Sequence, residues 1–314
     1  MDVLFVGLGS IGKRHLKNLF AACGRRGWDV AVDALRHDAA TPLPADVAHL
    51  VRREYTTVES LPHYDLAFIC NPSQRHLETL RAMEGKARCF FVEKPVFTRP
   101  LPDSELGSLS DERRYYVACP LRHTRVFAAM ADFVSKNRVF ACRAICSSYL
   151  PDWRPDADYR KLYCAQAESG GVRLDLIHDF DYLFSLFGIP DDFSCLDGRF
   201  SDLEVDCPDC AAFLARHGKT MVELHLDYFG RAAQRYAELY TKDDTVRFDF
   251  IDASATWLKS GRRIAFEEER NDFQMREIEG FLDFALCGGA NVNPIPLANR
   301  VLSVATAGGS HASL

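Results

Sequence analysis

A short apolar run, Val3-Leu4-Phe5-Val6, stops at Gly7-Leu8-Gly9-Ser10-Ile11-Gly12, and a helical pattern takes over at once. Between Lys13 and Ala22, Leu16, Leu19 and Phe20 recur at the spacing of one helix face. Buried strand, glycine turn and helix in that order form the G-x-G-x-x-G fingerprint of a dinucleotide-binding βαβ unit. Gly7 permits the tight turn, Gly9 lets the backbone approach a pyrophosphate, and Gly12 lets helix and strand pack closely. The helix start then offers main-chain N–H groups and a partial positive charge to the phosphates. Gly7, Gly9, Ser10, Ile11 and Gly12 are therefore the expected phosphate-binding residues.

The pattern continues as alternating strands and helices. Asp29 to Arg36 reads as a second strand, and the end of that strand decides how the adenosine ribose is held. Asp33 lies about where an acid for a ribose 2′-hydroxyl belongs, whereas Arg36 sits nearer the strand end and suits a 2′-phosphate. The balance leans slightly to NADP over NAD. Tyr64 to Cys70 forms another buried strand, closed by the turn Asn71-Pro72-Ser73, with a helix from about Arg75 to Glu84. His76, in its first turn, either approaches the cofactor or faces solvent. Arg88 to Val92 is a further strand, ending at Glu93-Lys94-Pro95. Such alternation implies a parallel, doubly wound sheet, with ligands beyond the carboxyl ends of its strands, where Asn71 and Lys94 fall. Tyr115 to Cys119 completes this domain. The expected division is residues 1–119 for the dinucleotide and 120–314 for substrate and oligomer contacts.

Composition narrows the class. A net charge of −6 over 314 residues argues against a nucleic-acid partner. No apolar run approaches the roughly 18 residues of a membrane span. Eleven scattered cysteines, an odd number, suggest free thiols in a reducing compartment, so a cytoplasmic location is expected. Cys207-Pro208-Asp209-Cys210 has the spacing of half a zinc site, but no second pair accompanies it, and loop cysteines with no metal are the expectation.

The glycine loop, the strand ending at Asn71-Pro72, and Glu93-Lys94-Pro95 together resemble the glucose–fructose oxidoreductase/inositol dehydrogenase (Gfo/Idh/MocA) family. The resemblance implies an N-terminal Rossmann domain, a C-terminal α/β domain on an open, mostly antiparallel sheet, and a nicotinamide cofactor held in part by Pro72, His76, Glu93 and Lys94.

In the second half, Arg122, His123 and Arg125 open a helix with Phe127 and Met130 on its apolar side, and Phe140 to Tyr149 alternates as a strand. The next loop is rich in Trp153, Arg154, Tyr159 and Arg160, flat apolar surface and bidentate donors that suit a sugar or phosphate as well as an ordinary surface. Read as one helix, Gly170 to Leu183 puts Asp175, His178 and Tyr182 on one face, flanked by Asp179 and Asp181. His178 and Asp181 match the spacing of the family's substrate-domain helix. The family more commonly sets its first acid four residues before the histidine, and here Leu174 stands there, with Asp175 three before it as in some sugar-modifying branches. Short β segments recur from about 193 to 265, and helices are expected over Phe273 to Cys287 and Pro296 to Ala307.

The resulting expectation is an NAD(P)-dependent oxidoreductase acting on a secondary alcohol of a sugar, sugar derivative or sugar nucleotide. His178 would take the hydroxyl proton, Lys94 would bind the same oxygen, and Asp175 or Asp181 would orient the imidazole. Arg122, Trp153, Arg154, Tyr159 and Arg160 would meet substrate. The other readings are a nicotinamide-assisted elimination or hydrolysis, and a non-catalytic dinucleotide-binding sensor. An exposed sheet face makes a homodimer or homotetramer the expected assembly.

Overall fold

The computed structural model describes residues 1–38, 40–167 and 170–308. The chain divides into two compact units, Met1–Cys119 with Arg270–Asn299, and Pro120–Glu269 with the segment from Arg300 onward.

The first unit is a parallel sheet of β1 (Asp2–Val6), β2 (Ala31–Leu35), β3 (Arg53–Tyr55), β4 (Tyr64–Ile69), β5 (Ala87–Val92) and β6 (Tyr115–Val117), in the order β3-β2-β1-β4-β5-β6. This is the doubly wound Rossmann order, with the switch point between β1 and β4. Helix α1 (Ser10–Arg26) leaves the glycine turn; α2 (Ala45–Ala48), α3 (His76–Ala82) and α4 (Asp103–Leu106) are shorter. Phe5, Phe68, Phe91 and Tyr116 lie in register across four adjacent strands, and their stacked rings sit 4.5–5.7 Å apart between centroids. Adjacent aromatic rings on one sheet face bury large areas in favourable offset geometry.

In the second unit, α5 (Arg125–Lys136) is capped by Thr124, whose hydroxyl accepts the Phe127 N–H. Arg122 and His123 belong to a separate 3₁₀ turn before it. The sheet comprises β7 (Ala141–Tyr149), β8 (Asp192–Gly198), β9 (Cys210–His217), β10 (Thr220–Asp227), β11 (Phe229–Tyr240), β12 (Thr245–Asp249), β13 (Ser254–Trp257) and β14 (Arg263–Ala265), ordered β14-β13-β12-β11-β7-β10-β9-β8. Every neighbouring pair is antiparallel except β7 and β10. Its covered face carries Phe213, Val222, Leu224, Ala144 and Leu239, and it receives α6 (Val172–Asp175) and α7 (Ile177–Phe187) through Phe180 edge-on to Phe213. The opposite face exposes Leu196, Leu214 and Met221, interleaved with an ion-pair ladder, Arg143–Glu223 and Arg247–Glu238.

The late helices correct the expectation of a second domain running without a break to 314. Helix α8 (Arg270–Cys287) packs on the first sheet, with Ile278, Phe281 and Leu282 wholly buried. Phe281 sets its ring edge against Phe68 and Phe91, both at 5.3 Å. Its apolar stripe shares the cover over the aromatic row with His15 of α1. Helix α9 (Ile295–Thr306) begins in the first unit and ends in the second.

Candidate active site

The glycine turn shows why three glycines are spaced as they are. Gly7 adopts φ +87°, and a Cβ there would lie 2.9 Å from the Asn71 backbone. A Cβ on Gly12 would fall 2.4 Å from the Gly7 carbonyl oxygen. The protein's own backbone therefore demands both. Gly9 differs: it is exposed, and a Cβ would meet nothing within 4 Å. Its bareness serves a close approach from outside, which a pyrophosphate makes. Helix α1 starts one residue later with no side-chain cap and no acid in its first turn. The first intrahelical bond runs from Lys13 N–H to Gly9 O, so the N–H groups of Ser10, Ile11 and Gly12 fall among the orphan donors of a helix start. An anion fits there.

At the end of β4, Asn71 donates through Nδ2 to Thr79 Oγ1 at 2.8 Å, while its buried Oδ1 has no partner among the described residues. An acceptor left bare at the carboxyl edge of a Rossmann sheet fits a dinucleotide donor. Pro72 is exposed beside it. His76 does not face solvent. The ring is buried between two main-chain carbonyls, with Nδ1 3.1 Å from Val96 O and Nε2 3.0 Å from Asn71 O, and a neutral ring donates to one of them. Burial lowers its pKa below the ordinary value.

The carboxylate of Glu93 is directed at His15 and at the Lys94 main chain. Oε1 lies 2.5 Å from His15 Nε2, and Oε2 accepts the Lys94 N–H at 3.1 Å. Burial alone would raise its pKa, but the bond from His15 and the charge of Lys94 outweigh it and hold the carboxyl below its usual range. The Lys94 side chain is half-buried at the carboxyl edge of β5.

The two candidates for the ribose end separate cleanly. Asp33 has no exposure; its oxygens accept from Arg52 at 2.8 and 2.9 Å and from Tyr64 Oη at 3.0 Å. It is a structural acid, because the strand turns it away from the sheet edge. Arg36 stands just past β2, paired with Glu54 and donating to Thr41 O at 2.7 Å.

In the second unit, the stretch read as a single helix is two. Helix α6 ends at Asp175 and α7 starts at Ile177, with Leu176 (φ −93°, ψ +24°) breaking the helical geometry between them. Helical register therefore does not relate Asp175 to His178. Asp175 is buried and accepts from Tyr163 Oη at 2.7 Å and Tyr228 Oη at 3.5 Å. His178 occupies the first turn of α7, half-buried, between buried Ile177 and Asp179. Asp179 meets Arg235 at 3.1 Å. Asp181 gives both oxygens to Arg122, at 2.6 and 2.7 Å, so it holds that arginine and not the imidazole. Arg122 is correspondingly buried, with 6% side-chain exposure, and is a brace rather than an open substrate donor. Tyr163, Tyr228 and Arg235 escaped the sequence reading. Each lies on a loop or strand remote in sequence, and only tertiary contact brings it to the acids.

The aromatic loop is largely self-engaged. Arg160 bonds Asp158 at 2.8 Å and Glu204 at 3.1 Å, Tyr159 Oη accepts the Glu204 N–H at 3.2 Å, and Trp153 Nε1 donates to Ser148 at 2.9 Å. These contacts make Arg160, Tyr159 and Trp153 staples of the loop. Arg154 is exposed. Cys207 donates to Cys164 O at 3.1 Å, and burial pushes the Cys207 and Cys210 thiols up to about 11.

Residues 1–116 match the model of the oxidoreductase family with an NAD-binding Rossmann fold, GFO_IDH_MocA. Inositol 2-dehydrogenase of Rhizobium meliloti (strain 1021) is 26% identical over 190 residues, a match spanning 58% of this chain and 54% of that relative. The match thus covers about half of the relative's length. Two solved structures share the fold of almost the whole chain. Myo-inositol 2-dehydrogenase from Lactobacillus plantarum superposes with a TM-score of 0.75 at 17% identity, over 97% of this chain and 95% of the other. Levoglucosan dehydrogenase, in complex with NADH and levoglucosan, gives 0.80 at 14% identity over the same shares. The likeness in fold to these structures extends over both the Rossmann sheet and the separate, mostly antiparallel sheet.

Proposed function

We propose that the chain is an NAD(P)-dependent oxidoreductase that interconverts a secondary alcohol and a ketone of a sugar, sugar derivative or sugar nucleotide. The observation that carries this reading is the glycine turn, closed by its own backbone at Gly7 and Gly12 and open at Gly9, under an uncapped helix start. The residues present fit a dinucleotide: Gly9, Ser10, Ile11 and Gly12 for the pyrophosphate, and Asn71, with its bare Oδ1, further along the sheet edge. When bound, the nicotinamide supplies hydride chemistry.

The chain's own residues supply the proton and the charge. His178 takes the hydroxyl proton as general base, since an imidazole exchanges protons near neutral pH. Lys94 Nζ donates to the same oxygen and favours its developing negative charge. Asp175, held by two tyrosine hydroxyls, is the carboxylate assigned to the histidine now that Asp181 is committed to Arg122. NADP is favoured over NAD, because Arg36 stands at the strand end and Asp33 is withdrawn into Arg52 and Tyr64. The open face bearing Leu196, Leu214 and Met221 is assigned to a second copy of the chain. The substrate class rests on the inositol and levoglucosan dehydrogenases that share the fold.

Fluorescence titration with NADPH and NADH, followed by turnover on a panel of polyols and sugars, tests this reading. Tighter NADPH binding and a change in nicotinamide absorbance are expected. His178→Asn should lower kcat about a hundredfold or more while cofactor Kd stays within about threefold. Weakened cofactor binding with intact turnover would remove His178 from its role.

A further inference from the structure

Asn71 and Lys94 lie past the carboxyl ends of β4 and β5, and the amino ends of the same strands frame a second concavity. It is a cleft of about 460 Å³, within the range of small-molecule sites, about 300–1,000 Å³. His63 stands immediately before β4, Arg88 near the start of β5 and Arg114 immediately before β6, so each of three adjacent strands brings a nitrogen-bearing side chain to it. Ala87 and Ala285 line the space between them and leave it open. The guanidiniums of Arg88 and Arg114 are held in place but not neutralised. Arg88 Nη2 donates to Ala285 O in the last turn of α8 at 3.3 Å, and Arg114 Nη2 donates to Ala87 O at 3.0 Å. Arg114 also lies over the rings of Phe90 and Tyr115, 5.9 and 5.6 Å from their centroids, which steadies its plane.

Each of these arginines spends one bond on a carbonyl, and no carboxylate among the described residues pairs with either. Most of each guanidinium fork is therefore available to a ligand. Asp111 does not answer them; it is paired with Arg113, whose side chain is 93% exposed. The carboxyl end of α8 offsets part of the charge on Arg88, whereas Arg114 has a single carbonyl and two ring faces. Like charges on neighbouring strands repel, and an anion between them reverses the sign of that energy. We propose that this cleft binds a small molecule through a phosphate group, gripped between Arg88 and Arg114, with its organic part against Ala87 and Ala285. Guanidinium forks match phosphate oxygens in bidentate geometry, and the cleft has room for more than the bare ion. The site stands apart from the redox chemistry, since the length of β5 separates it from Lys94.

The test is isothermal titration of the full-length protein with phenyl phosphate and, separately, with inorganic phosphate, each repeated at saturating NADPH. Phenyl phosphate has no alcohol to oxidise, so turnover cannot interfere. Binding at one site, unchanged by NADPH, is expected. Arg88→Gln and Arg114→Gln should each weaken it about tenfold or more. Arg88→Lys, which keeps the charge but not the fork, should cost about threefold, and Arg113→Gln should stay within about twofold. Tighter binding of phenyl phosphate than of inorganic phosphate places the organic part in the cleft; equal affinities keep the phosphate grip and assign the site to the free ion. No binding below about 10 mM ligand overturns the proposal. So does binding that NADPH displaces, which belongs to the glycine turn, or an affinity unmoved in both Arg88→Gln and Arg114→Gln. Should Arg114→Gln fail to fold because it uncovers Phe90 and Tyr115, Arg88→Gln alone decides. Failure of NADPH to bind would remove the redox reading and leave this site to its own titration.

Discussion

Asp33 sits on β2 with no exposure, and its charge is tolerable because Arg52 and Tyr64 satisfy both carboxylate oxygens. Burial pushes its pKa up, but the bonds from Arg52 and Tyr64 outweigh burial and hold it below the ordinary 3.8. A depressed carboxylate stabilises the fold above the unfolded-state value and loses that contribution as pH falls through the folded one. Asp33→Asn should therefore cost about 2 kcal/mol in urea unfolding at neutral pH and leave the ratio of NADPH to NADH affinity unchanged. Arg36→Ala should do the reverse, preserving stability within about 0.5 kcal/mol but weakening NADPH about tenfold relative to NADH in fluorescence titration. An altered cofactor ratio in Asp33→Asn would restore that acid to the ribose.

At the scale of elements, the break at Leu176 puts Asp175 on one short helix and His178 on the next. Helix α8 acts by burial. Phe281 is wholly buried, and its ring meets the edges and faces of Phe68, Phe91 and Tyr116. Phe281→Ala should destabilise by about 3–5 kcal/mol, the usual cost of emptying a close-packed aromatic site. Denaturant unfolding followed by far-UV circular dichroism checks this. A loss under about 1 kcal/mol would mean that the late helix is dispensable to the first sheet.

For the whole molecule, buried histidines set the acid limit of stability. Burial lowers the pKa values of His76 and His217 below the ordinary 6.5. In the fold both resist a proton that the unfolded chain accepts below that value. The unfolded state therefore binds more protons there, and stability falls as pH drops below 6.5. Melting temperature should decline steadily from about pH 7 to pH 5, and His217→Phe should flatten that decline. A second prediction concerns assembly. Leu214→Glu places a charge on the open sheet face and should shift the sedimentation profile toward a single chain. An unchanged profile would put any interface elsewhere.

The glycine turn, the alternating strands and the edge-terminating Asn71 and Glu93-Lys94-Pro95 are legible in the sequence because they are local: one strand, one turn and one helix start decide each. The strand β3 escaped notice, since Arg53-Glu54-Tyr55 is a charged edge strand with no apolar run. What the acids do could not be read from spacing. Asp33, Asp181 and Glu93 all lie at plausible site positions, yet each is claimed by a partner from another element: Arg52 by 19 residues, Arg122 by 59 and His15 by 78. Periodicity reports which way a side chain points along its own element. Which charge waits at the other end is a property of tertiary packing, and a buried carboxylate must find one or take up a proton.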